Sequence, residues 1–121
     1  MTPELEITRA YDTARSDSYR VLVDRLWPRG VSKQQAALDE WIKDVAPSAA
    51  LRRWYAHDPA RFDSFAEQYR AELAEEPAAS AVARLRHRAE SGRVSLVTAT
   101  RDIEHSGARV LYEHLRSPAS E

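Results

Sequence analysis

A buried strand followed by an abrupt turn is predicted by the run Tyr19-Arg20-Val21-Leu22-Val23-Asp24-Arg25-Leu26-Trp27-Pro28-Arg29-Gly30. The first half of this run contains β-branched and aromatic residues, which favour a strand in the middle of a sheet. Pro28 and Gly30 then prevent regular structure from continuing. The sequence therefore places a strand at residues 19–23 and a polar turn directly at its carboxyl end.

Two other segments have the pattern of strands. Residues 5–9 alternate apolar and polar side chains, which predicts a half-exposed strand near a sheet edge. Residues 94–99 form an apolar run that is typical of a buried strand. The polar residues 12–18 are interpreted as a turn or loop. Residues 38–45 fit either an extended segment or a helix, and we favour the extended form.

Helix starts are predicted from capping residues. They are the capping box of Ser32 with Gln35, Ser48, Asp58-Pro59, Pro77 and Ser106-Gly107. The resulting order of strand, strand, helices, strand and helix predicts an α/β fold, with a small mixed, mostly parallel sheet covered by helices. We assign residues 1–116 to this single compact domain and residues 117–121 to a flexible tail. The aromatic residues predicted to lie in the core are Trp41, Trp54, Phe62, Phe65 and Tyr69.

Composition restricts the function classes. The 121 residues include no cysteine, which excludes disulfides and thiolate chemistry. No apolar run is long enough to span a membrane, and the N-terminus does not resemble a signal peptide, so we expect a cytoplasmic protein with no membrane partner. The 18 basic and 19 acidic residues give a net charge of -1. Only a local basic patch could therefore attract an anion or a nucleic acid.

Side chains suited to anion binding follow the strand at residues 19–23. Asp24, Arg25, Trp27 and Arg29 lie where ligands bind in open α/β sheets, beyond the carboxyl ends of strands. Arginine presents a planar fork to phosphate or carboxylate, and Trp27 offers a ring for stacking. The alternative is that both arginines pair with Asp24 or with loop carbonyls and only hold the turn.

A second group of polar residues follows the strand at residues 94–99. If the two strands are parallel neighbours, Arg101 joins the anion site, and Asp102 or Glu104 orients His105 as a catalytic general base. The alternative is that Asp102 caps the last helix and His105 is a surface residue. Lys43 is a further candidate ligand-binding residue, although a solvated ion pair with Asp44 is the commoner outcome for such a pair.

The sequence leaves three function classes open, and it also leaves open whether the protein is an enzyme. The first is a pocket for a small anionic, phosphate-type ligand. The second is a nucleic-acid or protein-binding module that uses the basic cluster Arg84, Arg86, His87 and Arg88, which is otherwise a solvated helix face. The third is a metal-dependent hydrolase site of Asp24, Asp102 and His105, although no spacing demands a metal. His57 is interpreted as structural. Three glycines provide no phosphate-binding loop, so no cofactor is predicted.

Five blocks of the chain carry a resemblance to a known family. They are Asp24-Arg25-Leu26-Trp27-Pro28-Arg29-Gly30, Trp41-Ile42-Lys43-Asp44-Val45-Ala46-Pro47-Ser48, Leu51-Arg52-Arg53-Trp54, His57-Asp58-Pro59, and Ala99-Thr100-Arg101-Asp102 with His105. In this order they resemble the YeaO-like family, a domain of unknown function (DUF488). The resemblance extends from Tyr19 to Leu115. It implies a compact α/β fold and a bacterial origin, and it implies no particular reaction.

Overall fold

Parallel strands form a sheet at the centre of the protein. In this computed structural model, which describes residues 4–12 and 17–117, the sheet contains four strands: β1 (Leu5–Arg9), β2 (Tyr19–Leu22), β3 (Glu40–Trp41) and β4 (Val94–Thr98). Their spatial order is β1-β4-β2-β3, and each neighbouring pair is parallel. The predicted mostly parallel sheet is confirmed, with β1 at an edge and β2 in the interior.

Five α-helices accompany the sheet within the same described residues. They are α1 (Lys33–Ala36), α2 (Ala49–Tyr55), α3 (Phe62–Leu73), α4 (Ala78–Ser91) and α5 (Gly107–Arg116). The predicted starts at Ser32, Ser48 and Ser106 are confirmed, because each hydroxyl accepts a hydrogen bond from the backbone N–H three residues later. The helix predicted from Asp58 begins instead as a 3-10 turn, Pro59–Arg61, that leads into α3. None of the described helices has the length and apolar character needed to cross a bilayer.

The main core lies on one face of the sheet. Successive strand residues point to opposite faces, so Val21 and Leu96 share the face that packs against α2, α3, α4 and α5. The other face is covered more thinly. Leu22 and Val97 contribute to a smaller cluster there, and partly buried residues 27, 38 and 41 pack against it. The buried guanidinium of Arg20 holds α1 on this side by donating two hydrogen bonds to the carbonyl of Ala36.

Some expectations need correction or lie outside the described residues. Trp54 was predicted to be a core residue, and this is wrong: its side chain is 40% exposed and lies against the guanidinium of Arg61. The reason is that Leu51 and Tyr55, four residues apart, form the buried side of α2. Segment 38–45 is extended only at β3 and then forms a 3-10 turn at Lys43–Val45. Residues 13–16 of the predicted loop and residues 118–121 of the predicted tail lie outside the described residues.

Candidate functional site

A cavity of about 310 Å³ opens at the carboxyl ends of β2 and β4. These two strands are adjacent and parallel, so the segments that follow them meet at one end of the sheet. The wall is formed by residues 23–29 after β2 and residues 99–100 after β4. The rest of the wall consists of Pro47 before α2, Arg52 and Tyr55 within α2, His57, Phe65 of α3, and residues 106–108 at the start of α5. The sequence-based placement of a crevice beyond these strands agrees with this geometry.

Asp24 joins the ends of the strands. Its Oδ1 accepts a hydrogen bond from Thr98 Oγ1 at 2.8 Å, and its Oδ2 accepts one from the backbone N–H of Ala99 at 2.7 Å. Its carbonyl oxygen accepts the indole N–H of Trp41 at 2.8 Å. Burial raises the pKa of Asp24, although these hydrogen bonds and the charge of Arg52 act in the opposite direction. Asp24 therefore fixes the turn after β2 onto the end of β4.

Three arginines line the cavity. Arg25 is half-buried and donates its Nε to the carbonyl of Pro47 at 3.1 Å. Arg29 and Arg52 are exposed at the cavity mouth, and within the described residues neither guanidinium forms a hydrogen bond or an ion pair. With Asp24 as the single lining carboxylate, the wall has an excess of two positive charges. The wall is therefore positively charged, and a hydrogen bond to a carbonyl orients only one of the three arginines.

Aromatic rings line the cavity together with the arginines. Trp27 donates its indole N–H to the carbonyl of Val31 at 2.7 Å and contacts Trp41 edge-on. The ring of Tyr55 stacks on Phe65, with centroids 4.1 Å apart and planes 14° apart. Burial raises the pKa of Tyr55, so its hydroxyl stays protonated, and it donates to the carbonyl of His105. Tyr55 and Phe65 are almost fully buried, so the half-buried ring of Trp27 is the one of these three that presents apolar surface to the cavity.

The start of α5 reaches the cavity at Gly107, whose backbone lies close to the side chain of Pro47. A Cβ atom on this residue would lie 3.3 Å from Cγ of Pro47, closer than side chains normally pack. The hydroxyl of the capping residue Ser106 bonds to the N–H of Arg109. The first N–H groups of a helix have no partner within the helix, and a helix N-terminus favours negative charge. Gly107 and Ala108 thus add to the positive side of the cavity.

Two cavity residues that sequence analysis did not select are Arg52 and His57. Arg52 lies in the family-like block within α2, and no spacing in the sequence indicates which way its side chain faces. His57 follows Ala56, and both have left-handed backbone conformations, with φ angles of 48° for Ala56 and 57° for His57. Such angles are rare outside glycine. No sequence pattern predicts two of them in succession, so the position of His57 could not be read from its neighbours.

Four of the predicted site residues do not line the cavity. Lys43 instead places its Nζ over the ring of Trp41, 4.2 Å from the centroid, and Arg101 is exposed. Asp102 and His105 form a pair on the surface, with 2.8 Å between Oδ2 and Nδ1. The ring of His105 contacts Phe62 edge-on. The predicted residues that the structure brings together are therefore Asp24, Arg25, Trp27 and Arg29.

The geometry does not favour the metal-dependent alternative. Within the described residues, no group of three or more histidine, aspartate or glutamate side chains could hold a metal ion. The oxygens of Asp24 already accept hydrogen bonds from Thr98 of β4 and from Ala99 directly after it, and Asp102 and His105 pair with each other on the surface. Asp24, Asp102 and His105 therefore do not assemble into the site that a metal-dependent hydrolase would need.

The three arginines of the basic cluster on α4 form contacts within the protein. Arg84 pairs with Glu40 at 3.3 Å, and Arg88 stacks over the ring of Tyr19 at 3.9 Å. Arg86 donates to the carbonyls at the end of α5, at residues 114 and 115. These contacts favour the interpretation of a structural helix face over that of a nucleic-acid surface.

Comparisons with known proteins extend over almost the whole chain. A family model described as the inactive DUF488-N3 subclade matches residues 4–121. Uncharacterized protein Rv3073c of Mycobacterium tuberculosis is 45% identical over 112 residues, which is 92% of each chain. Uncharacterized protein YeaO of Escherichia coli is 40% identical over 114 residues, which is 93% of this chain and 97% of that protein. No solved structure matches the chain significantly.

Proposed function

Because the chain belongs to the YeaO-like DUF488 family and matches its inactive subclade, we propose that it binds a small anion in the strand-end cavity without transforming it. The observation that carries the proposal is the placement of Arg25, Arg29 and Arg52 around one cavity that has a single carboxylate in its wall. Guanidinium groups bind phosphate and carboxylate through paired N–H donors. The start of α5 adds further N–H donors on the same cavity.

The role of Asp24 is compatible with an anion in this cavity. Both carboxylate oxygens accept hydrogen bonds from residues of β4 or directly after it. The negative charge is thus partly compensated by donors before any ligand arrives. Within the described residues, the cationic groups at the mouth that form no ion pair are the guanidiniums of Arg29 and Arg52.

Binding without turnover is favoured by the location of the predicted catalytic pair. Asp102 and His105 contact each other on the surface and do not line the cavity. A general base must come within hydrogen-bond reach of its substrate, directly or through one water. The family description of an inactive subclade supports the same conclusion. A cytoplasmic site of action remains a prediction from the sequence.

The test is isothermal titration with inorganic phosphate at low ionic strength, where charge effects are largest. We expect Arg52→Ala to weaken binding about tenfold or more, the size expected for a charged hydrogen bond. Arg29→Ala should also weaken it. Arg53→Ala is the matched control, because Arg53 lies beside Arg52 on α2, is exposed, and does not line the cavity. Absence of binding by the unmodified protein, or an equal loss in the two α2 variants, would overturn the proposal.

A further inference from the structure

We infer that the ligand carries its anionic group on a flat apolar body and has about ten heavy atoms in all, such as an aromatic phosphate or carboxylate. This inference rests on the proposed function and specifies the chemical class of its ligand. It predicts that a bare inorganic oxyanion occupies only the part of the cavity next to the arginines.

The first argument is size. The cavity of about 310 Å³ corresponds to about ten water molecules at their share of liquid volume, about 30 Å³ each. An inorganic oxyanion has only five heavy atoms and leaves much of this space to be filled. The volume lies at the small end of the range for pockets that enclose organic ligands, which begins at about 300 Å³.

The second argument is the chemistry of the rest of the wall. Val23, Pro47 and Phe65 contribute side chains without hydrogen-bonding atoms. A buried water needs two to four polar partners to be stable, and these side chains offer none. Water is therefore a poor occupant of this part of the cavity. An apolar group that displaces it gains free energy in proportion to the area removed from water.

The third argument is that the polar atoms of the aromatic lining residues are already engaged. The Tyr55 hydroxyl donates to the carbonyl of His105, and the Trp27 indole N–H donates to the carbonyl of Val31. Neither ring needs a polar partner from a ligand. What remains for the ligand is the ring surface of half-buried Trp27, since Tyr55 is only 4% exposed. This surface favours a flat apolar group in an offset or edge-on arrangement.

The apolar part of the cavity is also held rigidly. Phe65 is only 1% exposed and stacks on Tyr55, while the start of α5 packs tightly against Pro47 at Gly107. The hydroxyl of the neighbouring Tyr69 bonds to the carbonyl of Val45. A site with preformed apolar walls keeps its shape without a ligand, which reduces the ordering cost of binding.

The test compares inorganic phosphate, methyl phosphate and phenyl phosphate by isothermal titration. These probes share one anionic group and differ in the apolar body. We expect phenyl phosphate to bind at least about tenfold more tightly than methyl phosphate, because the ring is removed from water. Binding of all three with equal affinity would overturn the inference and leave the proposed function intact. Binding of none would overturn both.

Two variants at Trp27 locate the selectivity, because its half-buried ring lines the cavity. Trp27→Phe keeps a ring and should retain the preference for phenyl phosphate. Trp27→Leu removes the ring and keeps all three arginines, so the preference should fall to about threefold or less while inorganic phosphate still binds. Melting curves establish that each variant is folded, and if Trp27→Leu does not fold, the comparison of ligands on the unmodified protein decides. An unchanged preference in folded Trp27→Leu would contradict the assignment of this ring.

Discussion

Replacement of His57 by glycine is expected to stabilise the fold and weaken anion binding at the same time. His57 has a φ angle of 57°, in the left-handed region. This conformation costs a residue with a Cβ atom about 1 to 2 kcal/mol, and glycine adopts it without that cost. Glycine also gives the unfolded chain more freedom, which removes about 0.5 to 1 kcal/mol of the gain. The net stabilisation should be about 1 kcal/mol, or about 4 °C in Tm for a domain of this size.

The effect on binding has a separate cause. The His57 side chain lines the cavity with the three arginines, and an imidazole ring supplies an N–H donor. Loss of one hydrogen bond to an anion should reduce affinity for phosphate about three- to tenfold. Stability and affinity should therefore change in opposite directions, as expected for a strained residue that is retained for its position in a site.

Ala56→Gly provides the matched control for this prediction. Ala56 has a φ angle of 48° and does not line the cavity. Its replacement should release similar strain and leave phosphate affinity unchanged. The assays are urea denaturation, thermal melting and phosphate titration on both variants. If Ala56→Gly stabilises the protein while His57→Gly destabilises it, the side chain of His57 is a structural contact and the reasoning is refuted. Unchanged affinity in His57→Gly refutes the binding role.

Two further predictions concern the pH dependence of stability. Burial raises the pKa of Asp24 above its ordinary 3.8. The contribution of Asp24 to folding stability is therefore largest when the carboxyl is protonated, and it is lost as the pH rises through the raised pKa. In Asp24→Asn, the asparagine can still accept a hydrogen bond from the Ala99 N–H but does not titrate. Its stability in urea denaturation, relative to the unmodified protein, should therefore increase between about pH 4 and about pH 7. A difference that stays constant with pH would argue against this. Burial, together with the charges of Arg86 and Arg70, lowers the pKa of His114 below its ordinary 6.5. The contribution of neutral His114 to folding stability is therefore present above pH 6.5, and it is lost as the pH falls through the lowered pKa. His114→Gln should consequently lose less stability than the unmodified protein between about pH 7.5 and about pH 5, and parallel stability curves would contradict this.

The strand framework could be predicted because its signals are local. The apolar run of β4, buried at all five positions, and the strand before Asp24 needed no knowledge of distant contacts. The serine caps of α1, α2 and α5 were equally local. Once β2 and β4 are parallel neighbours, the meeting of the segments after them follows from sheet geometry. This is why Arg25 and Arg29 could be selected before the structure was known.

The remainder of the candidate site depends on how elements dock. Arg52 reaches the cavity because of the way α2 packs beyond the sheet, which periodicity does not specify. His57 reaches it through two consecutive left-handed residues that carry no glycine signal. After β4, the chain forms a 3-10 turn at Ile103–His105 in place of a direct entry into α5, and Asp102 and His105 pair with each other on the surface. Sequence spacing alone could not distinguish this turn from one that faces the crevice.

Asp24 explains why a cavity with a positive wall contains a carboxylate. Its side chain accepts hydrogen bonds from Thr98 and Ala99, and its carbonyl accepts one from Trp41. One residue therefore connects the segment after β2 with the ends of both neighbouring strands. This connection holds the start of the turn that carries Arg25 and Arg29 at the end of the sheet. The candidate anion site thus depends on the strand order β4-β2-β3, and a shorter motif containing the same arginines would not assemble it.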